Sequence, residues 1–291
     1  MCTVFFDVSY QSYLPALIGK DDLVDANGKL AATQSFAQVA GPGLGGALVG
    51  LVGAARAMST DAISYAVSVA SLLAIDARER PPEPGPRQKL RAEIAEGLTF
   101  VLRRPILRKI VACTGTANLF SSMALALEIV FLIRVLHVRP ADTGLLIAAA
   151  SLGGVAGGAL SGRLSRRIGS ARIIWFSLLV LGLPQLIIPL AEPGWRVWVF
   201  VVGLAAAWFS GMVYNVAQVS YRQAICPPRL LGRMNAAVRW VVWGTLPLGG
   251  LLGGVLGTVL GVRPTLWIGF AGSWAAGWWV FFSPLREMRD F

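Results

Sequence analysis

The sequence has almost no material for metal or disulfide chemistry. It contains three cysteines, Cys2, Cys113 and Cys226, without a Cys-x-x-Cys spacing, and a single histidine, His137. Zinc sites and disulfide frameworks need several such residues at defined spacings, so we expect neither. The chain also contains no P-loop, no dinucleotide fingerprint and no recognisable nucleophile paired with a base. We therefore predict that it is not an enzyme and that it binds no cofactor.

Charged residues are also scarce, whereas apolar residues dominate. Asp, Glu, Lys and Arg make up 14% of the 291 residues, 55% are hydrophobic, and the mean hydropathy is +0.64. A soluble domain of this size cannot bury so much apolar surface, which predicts an all-α protein embedded in the lipid bilayer. The net charge of +11 falls in short clusters between apolar runs, a pattern typical of membrane loops and not of a nucleic-acid-binding surface.

Apolar segments of about 20 residues, the length that crosses a bilayer core, recur along the chain. We predict about nine transmembrane helices, near residues 3–19, 31–54, 58–76, 107–133, 143–162, 171–191, 195–219, 236–260 and 264–283. Residues 77–104 interrupt this pattern with a charged, proline-rich stretch that predicts a solvent linker. Within it, Leu90, Ile94, Leu98 and Val101 recur at spacings of three and four, which predicts an amphipathic helix on the membrane surface.

Lysine and arginine are unevenly distributed between alternate loops. They cluster in the linker, in the loops that follow residues 162 and 219, and after the last helix, whereas the intervening loops hold isolated charges. Loops rich in lysine and arginine usually stay in the cytoplasm. We therefore expect a multi-pass protein of the plasma (inner) membrane with a cytoplasmic C-terminus.

The chain contains an internal repeat at an offset of 208 residues, without gaps. The matched pairs include Ser12 and Ser220, Tyr13 and Tyr221, Leu23 and Leu231, Asn27 and Asn235, Gly41 and Gly249, Gly45 and Gly253, and Gly46 and Gly254. Both copies run from the end of one helix through a basic loop into a glycine-rich helix, so the repeat is parallel. Parallel halves of six helices each build one large class of transporters. The alternative is a nine-helix protein whose similar loops merely share composition.

The repeat divides the chain into three parts. Residues 1–76 would be a remnant of an N-terminal six-helix bundle, 77–104 the linker, and 105–291 a complete C-terminal six-helix bundle. On this division, the partners of the helices between residues 107 and 191 would begin about a hundred residues before Met1. We therefore expect the chain to lack the first helices of its N-terminal half, because it is a fragment or because its assigned translation start is wrong.

Several segments resemble the enterobactin-exporter-like branch of the major facilitator superfamily. Residues 13–17, 23–27, 34–35 and 41–46 resemble the fourth and fifth helices of that branch, and residues 93–98 and 103–108 resemble the segment before its seventh helix. The resemblance implies the major facilitator fold, with this chain corresponding to helices 4–12 of a twelve-helix transporter. It also implies secondary active, proton-coupled efflux of small amphipathic compounds such as drugs or siderophore-like metabolites. A non-transporting truncated or partner-dependent membrane protein, and an importer of the same superfamily, remain alternatives.

A glycine-proline motif carries part of this resemblance. Gly41, Pro42, Gly45 and Gly46 match a Gly-Pro-x-x-Gly-Gly pattern that the superfamily associates with exporting antiporters, although Ala37 replaces the preceding glycine of that motif. The same residues have a structural explanation, because proline bends a helix and glycine lets a neighbouring backbone approach closely.

A second motif resembles the degenerate copy of the family's gating loop. It consists of Gly162, Arg163, Arg166, Arg167 and Gly169. Arg166 stands where the motif has an acidic residue, which argues against a charge lock formed by this loop.

Polar residues inside apolar spans are the candidates for a substrate or proton pathway, because each costs about 2.5 to 3.5 kcal/mol to insert. Asp7 falls on Asn215 in the repeat, so the two would face a central cavity; alternatively, Asp7 pairs with Arg222. Glu128 lies near the end of its span and either takes part in proton coupling or pairs with Arg134 at the interface.

Two further kinds of side chain are candidates for the same pathway. Asn118 and Gln218 either bind substrate or join helices by hydrogen bonds. Trp208 and Tyr214 lie deep in their span and would line an apolar cavity, whereas the other tryptophans of the last third indicate an interfacial belt.

The repeat can be tested at the level of the gene. We expect the genomic DNA immediately upstream of the Met1 codon to continue in frame for about a hundred residues with about three apolar spans, because the parallel repeat requires partners for residues 107–191. Sequencing that DNA is the measurement. A stop codon or an unrelated sequence would favour the truncated or partner-dependent alternative.

Overall fold

The computed structural model of the protein describes residues 22–34, 36–37, 54–73 and 90–290. These residues form helices and no strand, which confirms the all-α fold class. The predicted helix over residues 3–19 and most of the one over 31–54 lie outside the described residues. Asp7 and the Gly41, Pro42, Gly45 and Gly46 motif lie outside them as well.

Among the described residues, three helices precede the main bundle. Helix α1 covers residues 23–34, α2 covers Ala54–Leu73, and α3, which is the amphipathic segment of the predicted linker, covers Leu90–Arg103.

The main bundle follows directly after α3. Its helices are α4 (Pro105–Val130, extended by a π-helical turn over Phe131–Val135), α5 (Pro140–Ile168), α6 (Arg172–Phe176, continued by a π-helical turn over Ser177–Leu181 and a 3-10 helix over Leu183–Leu190), α7 (Val197–Ile225), α8 (Pro228–Val259), α9 (Val262–Ala275) and α10 (Gly277–Phe281).

Five helical stretches of the described part are long and apolar enough to cross a membrane. They are Pro105–Val135, Asp142–Ile168, Arg172–Leu190, Gly194–Ile225 and Leu230–Val259. Each of them overlaps one predicted span, so the prediction of a multi-pass membrane protein is confirmed for this part of the chain.

Two helices begin earlier than the hydropathy pattern predicts. Residues 20–30 were expected to form a loop, but α1 begins at residue 23, and α8 begins at Pro228 instead of near residue 236. In both cases the helix extends past the apolar run because its first turns still bury apolar side chains. Leu23 and its repeat partner Leu231 are 0% and 2% exposed, so the two copies of the repeat form helices with the same leucine buried.

Two other predicted spans are not continuous α-helices. The apolar stretch 171–191 changes from α to π to 3-10 geometry, and this change accompanies Pro184 and Pro189, which cannot donate backbone hydrogen bonds. The last predicted helix, 264–283, is divided at Ala276, where α9 ends and α10 begins.

Glycine brings the long helices of the bundle into close contact. A Cβ atom on Gly157 of α5 would lie 2.6 Å from the carbonyl oxygen of Phe209 in α7. On Gly253 of α8, a Cβ atom would lie 2.5 Å from the carbonyl oxygen of Met123 in α4. Such backbone contact is open only to residues without a side chain, and it is a common way for helices to associate in lipid.

Helix α3 packs against the beginning of α8. Gly97 lies against the backbone of Arg233, where a Cβ atom would be 2.6 Å from the carbonyl oxygen, and Glu96 forms an ion pair with the Arg233 guanidinium. Val101 is 2% exposed, as expected for the apolar face, whereas Leu98 is 37% exposed. The face of α3 that meets the bundle is therefore centred on Gly97 and Val101, and Leu98 lies beside that face, partly open to the surroundings.

Basic residues gather at one end of the bundle, which we call the basic end. It contains the start of α4 at Arg104, the end of α5 at Arg166, the start of α6 at Arg172 and the end of α7 at Arg222. The C-terminal residues reach the same end, because the backbone N–H of Ala171 donates to the carbonyl oxygen of Arg289 at 3.0 Å.

Neighbouring glycines on α8 provide a matched test of helix packing. We expect Gly253→Ala to lower the free energy of unfolding by about 1–3 kcal/mol, since the new methyl group would press on the α4 backbone. Gly254→Ala should be neutral or stabilising, because no described atom lies within 4 Å of its Cβ position and alanine favours helix by about 1 kcal/mol. Thermal unfolding of the detergent-solubilised variants measures both effects. An equal response of the two would contradict the proposed α4–α8 contact.

Candidate functional site

A polar group joins α4 to α7 and α8 inside the bundle. The hydroxyls of Thr114 and Tyr214 are hydrogen-bonded at 2.7 Å, and the Tyr214 hydroxyl also donates to the carbonyl oxygen of Ile110 at 3.3 Å. One turn along α4, the Asn118 side chain donates to the carbonyl oxygen of Val242 at 3.4 Å. Tyr214 is only 5% exposed, so its side chain lies in the core of the described bundle.

The neighbouring face of α7 is partly open. The Gln218 side chain, which is buried, donates to the amide oxygen of the exposed Asn215 at 3.0 Å. Trp208 is seven residues from Asn215, so both lie on one face of the helix, and Trp208 is 41% exposed. Gly211 lies between them, and no described atom comes within 4 Å of its Cβ position. Trp208 and Asn215 therefore lie on one partly open face of α7, and Gln218 is hydrogen-bonded to Asn215 beside it.

Glu128 lies apart from this group. Ten residues separate it from Asn118 along α4, a distance of about 15 Å at 1.5 Å per residue. Its side chain is 6% exposed, and the buried Phe131 and Leu132 follow three and four residues later on the same face of the helix. Within the described residues it forms no ion pair, and Arg134 is exposed, so the expected pairing of these two residues is not observed.

Two buried polar residues, Arg222 and Asn235, were not selected as candidate site residues from the sequence. Arg222 is 6% exposed and Asn235 is 5% exposed. In the described part of the chain, neither the Arg222 Nε nor the Asn235 Nδ2 has a hydrogen-bond partner. The internal repeat could have pointed to Asn235, because it is matched with Asn27 at the offset of 208 residues.

Asn27 is the centre of a contact between α1 and α7. Its Nδ2 donates to the Ser220 hydroxyl oxygen at 3.1 Å, to the Gln223 Oε1 at 2.6 Å and to the carbonyl oxygen of Leu23 at 2.9 Å. The Ser220 hydroxyl lies 3.3 Å from the same Leu23 oxygen. These side chains were not selected as site residues from the sequence, because which helices would meet there depends on the tertiary fold.

Asp25 connects α1 to α5. A Cβ atom on Gly162 would lie 2.7 Å from the Asp25 Oδ1, and the Arg166 Nη1 lies 3.8 Å from the same oxygen. A hydrogen bond from Lys29, together with the charges of Arg166 and Arg163, holds the pKa of Asp25 below its ordinary value, although partial burial opposes this shift. We call the contacts of Asp25 and Asn27 with Gly162, Arg166, Ser220 and Gln223 the polar seam.

The polar seam corrects the expectation for the gating-loop motif. Arg166 replaces the motif's acidic residue, but Asp25 of α1 supplies an acidic partner for it. A charge contact therefore exists at this loop, with the basic residue on the loop and the acidic one on the other helix. Both side chains are more than a third exposed, and such a pair contributes about 0–1 kcal/mol. Arg163 and Arg167 are exposed, and Gly169 ends α5 with a φ of +108°.

Comparison with known proteins decides the family. The family profile MFS_3, described as transmembrane secretion effector, matches residues 2–291. The chain belongs to this family of the major facilitator superfamily. The family consists of transporters and not of enzymes, in agreement with the prediction from the absent motifs.

Individual relatives agree with this assignment. The chain is 28% identical over 228 residues to the enterobactin exporter EntS of Citrobacter koseri, covering 76% of this chain and 51% of that protein. It is also 28% identical over 233 residues to EntS of Escherichia coli O127:H6, again covering 76% of this chain and 51% of the relative. The chain thus spans about half the length of the curated relatives that it matches.

Solved structures of low sequence identity confirm the fold. A bacterial homologue of the iron transporter ferroportin, in an outward-facing state, superposes with a TM-score of 0.77 at 18% identity, covering 95% of this chain and 68% of that one. The Escherichia coli fucose:proton symporter FucP superposes with a TM-score of 0.70 at 11% identity, covering 94% and 72%. The major facilitator fold predicted from the sequence is therefore confirmed.

The polar seam can be tested by a disulfide. The Cβ position of Gly162 lies 3.6 Å from the Asp25 Cβ, within the range that a disulfide spans. In a background in which Cys2, Cys113 and Cys226 are serine, we expect Asp25→Cys with Gly162→Cys to cross-link readily and to resist labelling by a maleimide.

The matched control combines Lys29→Cys with Gly162→Cys, because Lys29 lies one turn away on α1 and points to solvent. It should remain labelled under the same oxidation. If both double variants were labelled equally, α1 would not be held against α5 as described.

Proposed function

We propose that the protein works in secondary active transport and that it exports small amphipathic compounds in exchange for protons. The observation that carries this proposal is the polar seam. It holds α1 against α5 and α7 through a few hydrogen bonds, a weak ion pair and glycine contacts, which are interactions that can break and re-form at low cost. A reversible closure of this kind is what alternating access requires at one end of a transporter.

The basic end is the cytoplasmic end in this proposal. Most arginines at the ends of the spans lie there, and lysine and arginine favour the cytoplasmic side. The seam would then be the inner gate, and its closure would correspond to an outward-facing state. The ferroportin homologue of similar fold is in an outward-facing state, which supports this assignment.

Substrate would meet the open face of α7. Trp208 offers an aromatic surface, while Asn215 and Gln218 offer hydrogen-bonding groups beside it. This combination suits a compound with both apolar and polar parts. The similarity to enterobactin exporters supports siderophore-like compounds as one substrate class, and Asp7, the repeat partner of Asn215, is the candidate on the facing half.

Glu128 is the candidate for proton coupling in the described part. A carboxylate among apolar side chains without an ion partner is costly to keep charged, so a protonated form is favoured until the site opens to water. An arrangement of this type allows proton uptake and release to accompany a conformational change.

Direction of flux separates the alternatives. In inverted membrane vesicles with an acidic lumen, an exporter should accumulate ethidium or enterobactin inside the vesicles, whereas a symporter, as FucP is named, would move its substrate outwards. A non-transporting protein would insert stably and show no flux above vesicles from cells with an empty vector.

Oxidation of the variant that combines Asp25→Cys with Gly162→Cys should stop flux, and a reductant should restore it.

A single substitution tests the role of Glu128. We expect Glu128→Gln to abolish accumulation driven by the proton gradient while downhill movement of the same compound continues, because glutamine cannot release a proton. Accumulation of ethidium in inverted vesicles, followed together with lumenal pH, measures both processes. Glu192→Gln is the control, since Glu192 is an exposed carboxylate at the same end of the bundle and pairs with Arg196. Unchanged proton-driven accumulation in Glu128→Gln would rule this role out.

A further inference from the structure

A groove lies between α3 and the first turns of α8 at the basic end. Its volume is about 620 Å³, and its lining includes Thr99, Phe100, Arg103, Arg104 and Leu230. None of the transport residues discussed above contributes to it. The groove therefore needs an explanation of its own.

The groove is positively charged. Glu96 also lines it, but its carboxylate is paired with the Arg233 guanidinium of α8. Arg103 and Arg104 are exposed, and neither forms an ion pair with any residue that the structure describes. The Arg104 guanidinium lies 4.4 Å from the centre of the Phe100 ring, which holds it at the mouth of the groove. Two unneutralised guanidinium groups favour an anionic ligand, and the planar fork of arginine matches a phosphate group.

The groove lies at the start of a helix that is long and apolar enough to cross a membrane. Arg104 directly precedes Pro105, where the membrane span Pro105–Val135 begins. On the same helix as the two arginines, Leu98 is 37% exposed and Leu102 is 50% exposed. Apolar side chains open to the surroundings beside basic ones, at the start of a membrane span, fit a ligand that is charged at one end and apolar at the other.

We propose that this groove binds an anionic phospholipid. Arg103 and Arg104 contact the phosphate of the headgroup, and Leu98 and Leu102 contact the first part of the acyl chains. The bound lipid holds α3 against α8 and so fixes the segment that enters the main bundle. Phospholipid is present on both sides of a membrane, so this proposal is independent of the orientation assigned above.

The two arginines are tested by replacement and lipid binding. The protein, purified in detergent and depleted of lipid, is titrated with phosphatidylglycerol or phosphatidylcholine while bound lipids are counted by native mass spectrometry. We expect one phosphatidylglycerol to bind in preference to phosphatidylcholine. Arg103→Gln with Arg104→Gln should weaken that binding about 10- to 30-fold, as expected for two basic residues near an anionic lipid.

A second pair of arginines at the basic end serves as the control. Arg172→Gln with Arg286→Gln removes the same charge, and the Arg286 guanidinium lies 4.8 Å from the centre of the Phe281 ring, much as Arg104 lies over Phe100. This variant should retain the tightly bound phosphatidylglycerol. Equal loss in both double variants would show that net charge alone attracts the lipid and would overturn the proposal.

A single-substitution variant and a competition experiment with inorganic phosphate complete the test. If the double variant is unstable, Arg103→Gln alone is used, because Arg103 has no described side-chain partner whose loss would disturb the fold. Inorganic phosphate should neither bind at similar affinity nor compete with the lipid. If it does both, the groove is a site for a soluble anion, and equal binding of the two lipids would likewise refute an anionic-lipid site.

Discussion

Close approach of helix backbones at glycine is the constraint on which this structure depends. Lipid tails are as apolar as leucine side chains, so helices in a membrane gain little by merely covering apolar surface and instead associate through tight packing. Helix α5 uses two glycine pairs for this purpose. Gly153 and Gly157 meet α7, whereas Gly158 and Gly162, five residues further along and on another face of the helix, meet α1. Because the face of α5 with Gly158 and Gly162 packs on α1, Arg166, one turn after Gly162, lies near Asp25, and the polar seam can form.

The polar side chains of the bundle fall into two groups with different consequences. Tyr214, Thr114 and Asn118 have hydrogen-bond partners on neighbouring helices, so they stabilise one arrangement of α4, α7 and α8. Glu128 and the Arg222 Nε are buried without such partners in the described part of the chain. A buried polar group without a partner costs free energy, so groups of the second kind are the ones whose environment a conformational change can improve.

Several features of the site could be predicted from single positions, and others could not. Asn215 and Gln218 are three residues apart on a helix, so their hydrogen bond follows from helical geometry. The hydrogen bonds of Tyr214 to α4 could not be predicted, because hydropathy does not reveal which face of α7 packs against α4. Arg166 was misjudged for a related reason, since the motif was interpreted within its own loop while its acidic partner lies on α1. The extra helical turns at Leu23 and Leu231 were missed because both helices begin in polar, charged segments, several residues before the apolar runs begin.

The amino-acid sequence was enough to predict a membrane protein, the positions of its main spans and its superfamily. Hydropathy, basic loops and repeated residues are local or one-dimensional properties, so they can be identified without knowing which residues are in contact. Only the three-dimensional arrangement shows which polar residues are buried, which of them meet across helices, and that Arg103 and Arg104 line one groove without an ion partner among the described residues. Those properties depend on how each helix is rotated about its axis and packed against its neighbours. That arrangement is determined by contacts between side chains that are far apart in the chain.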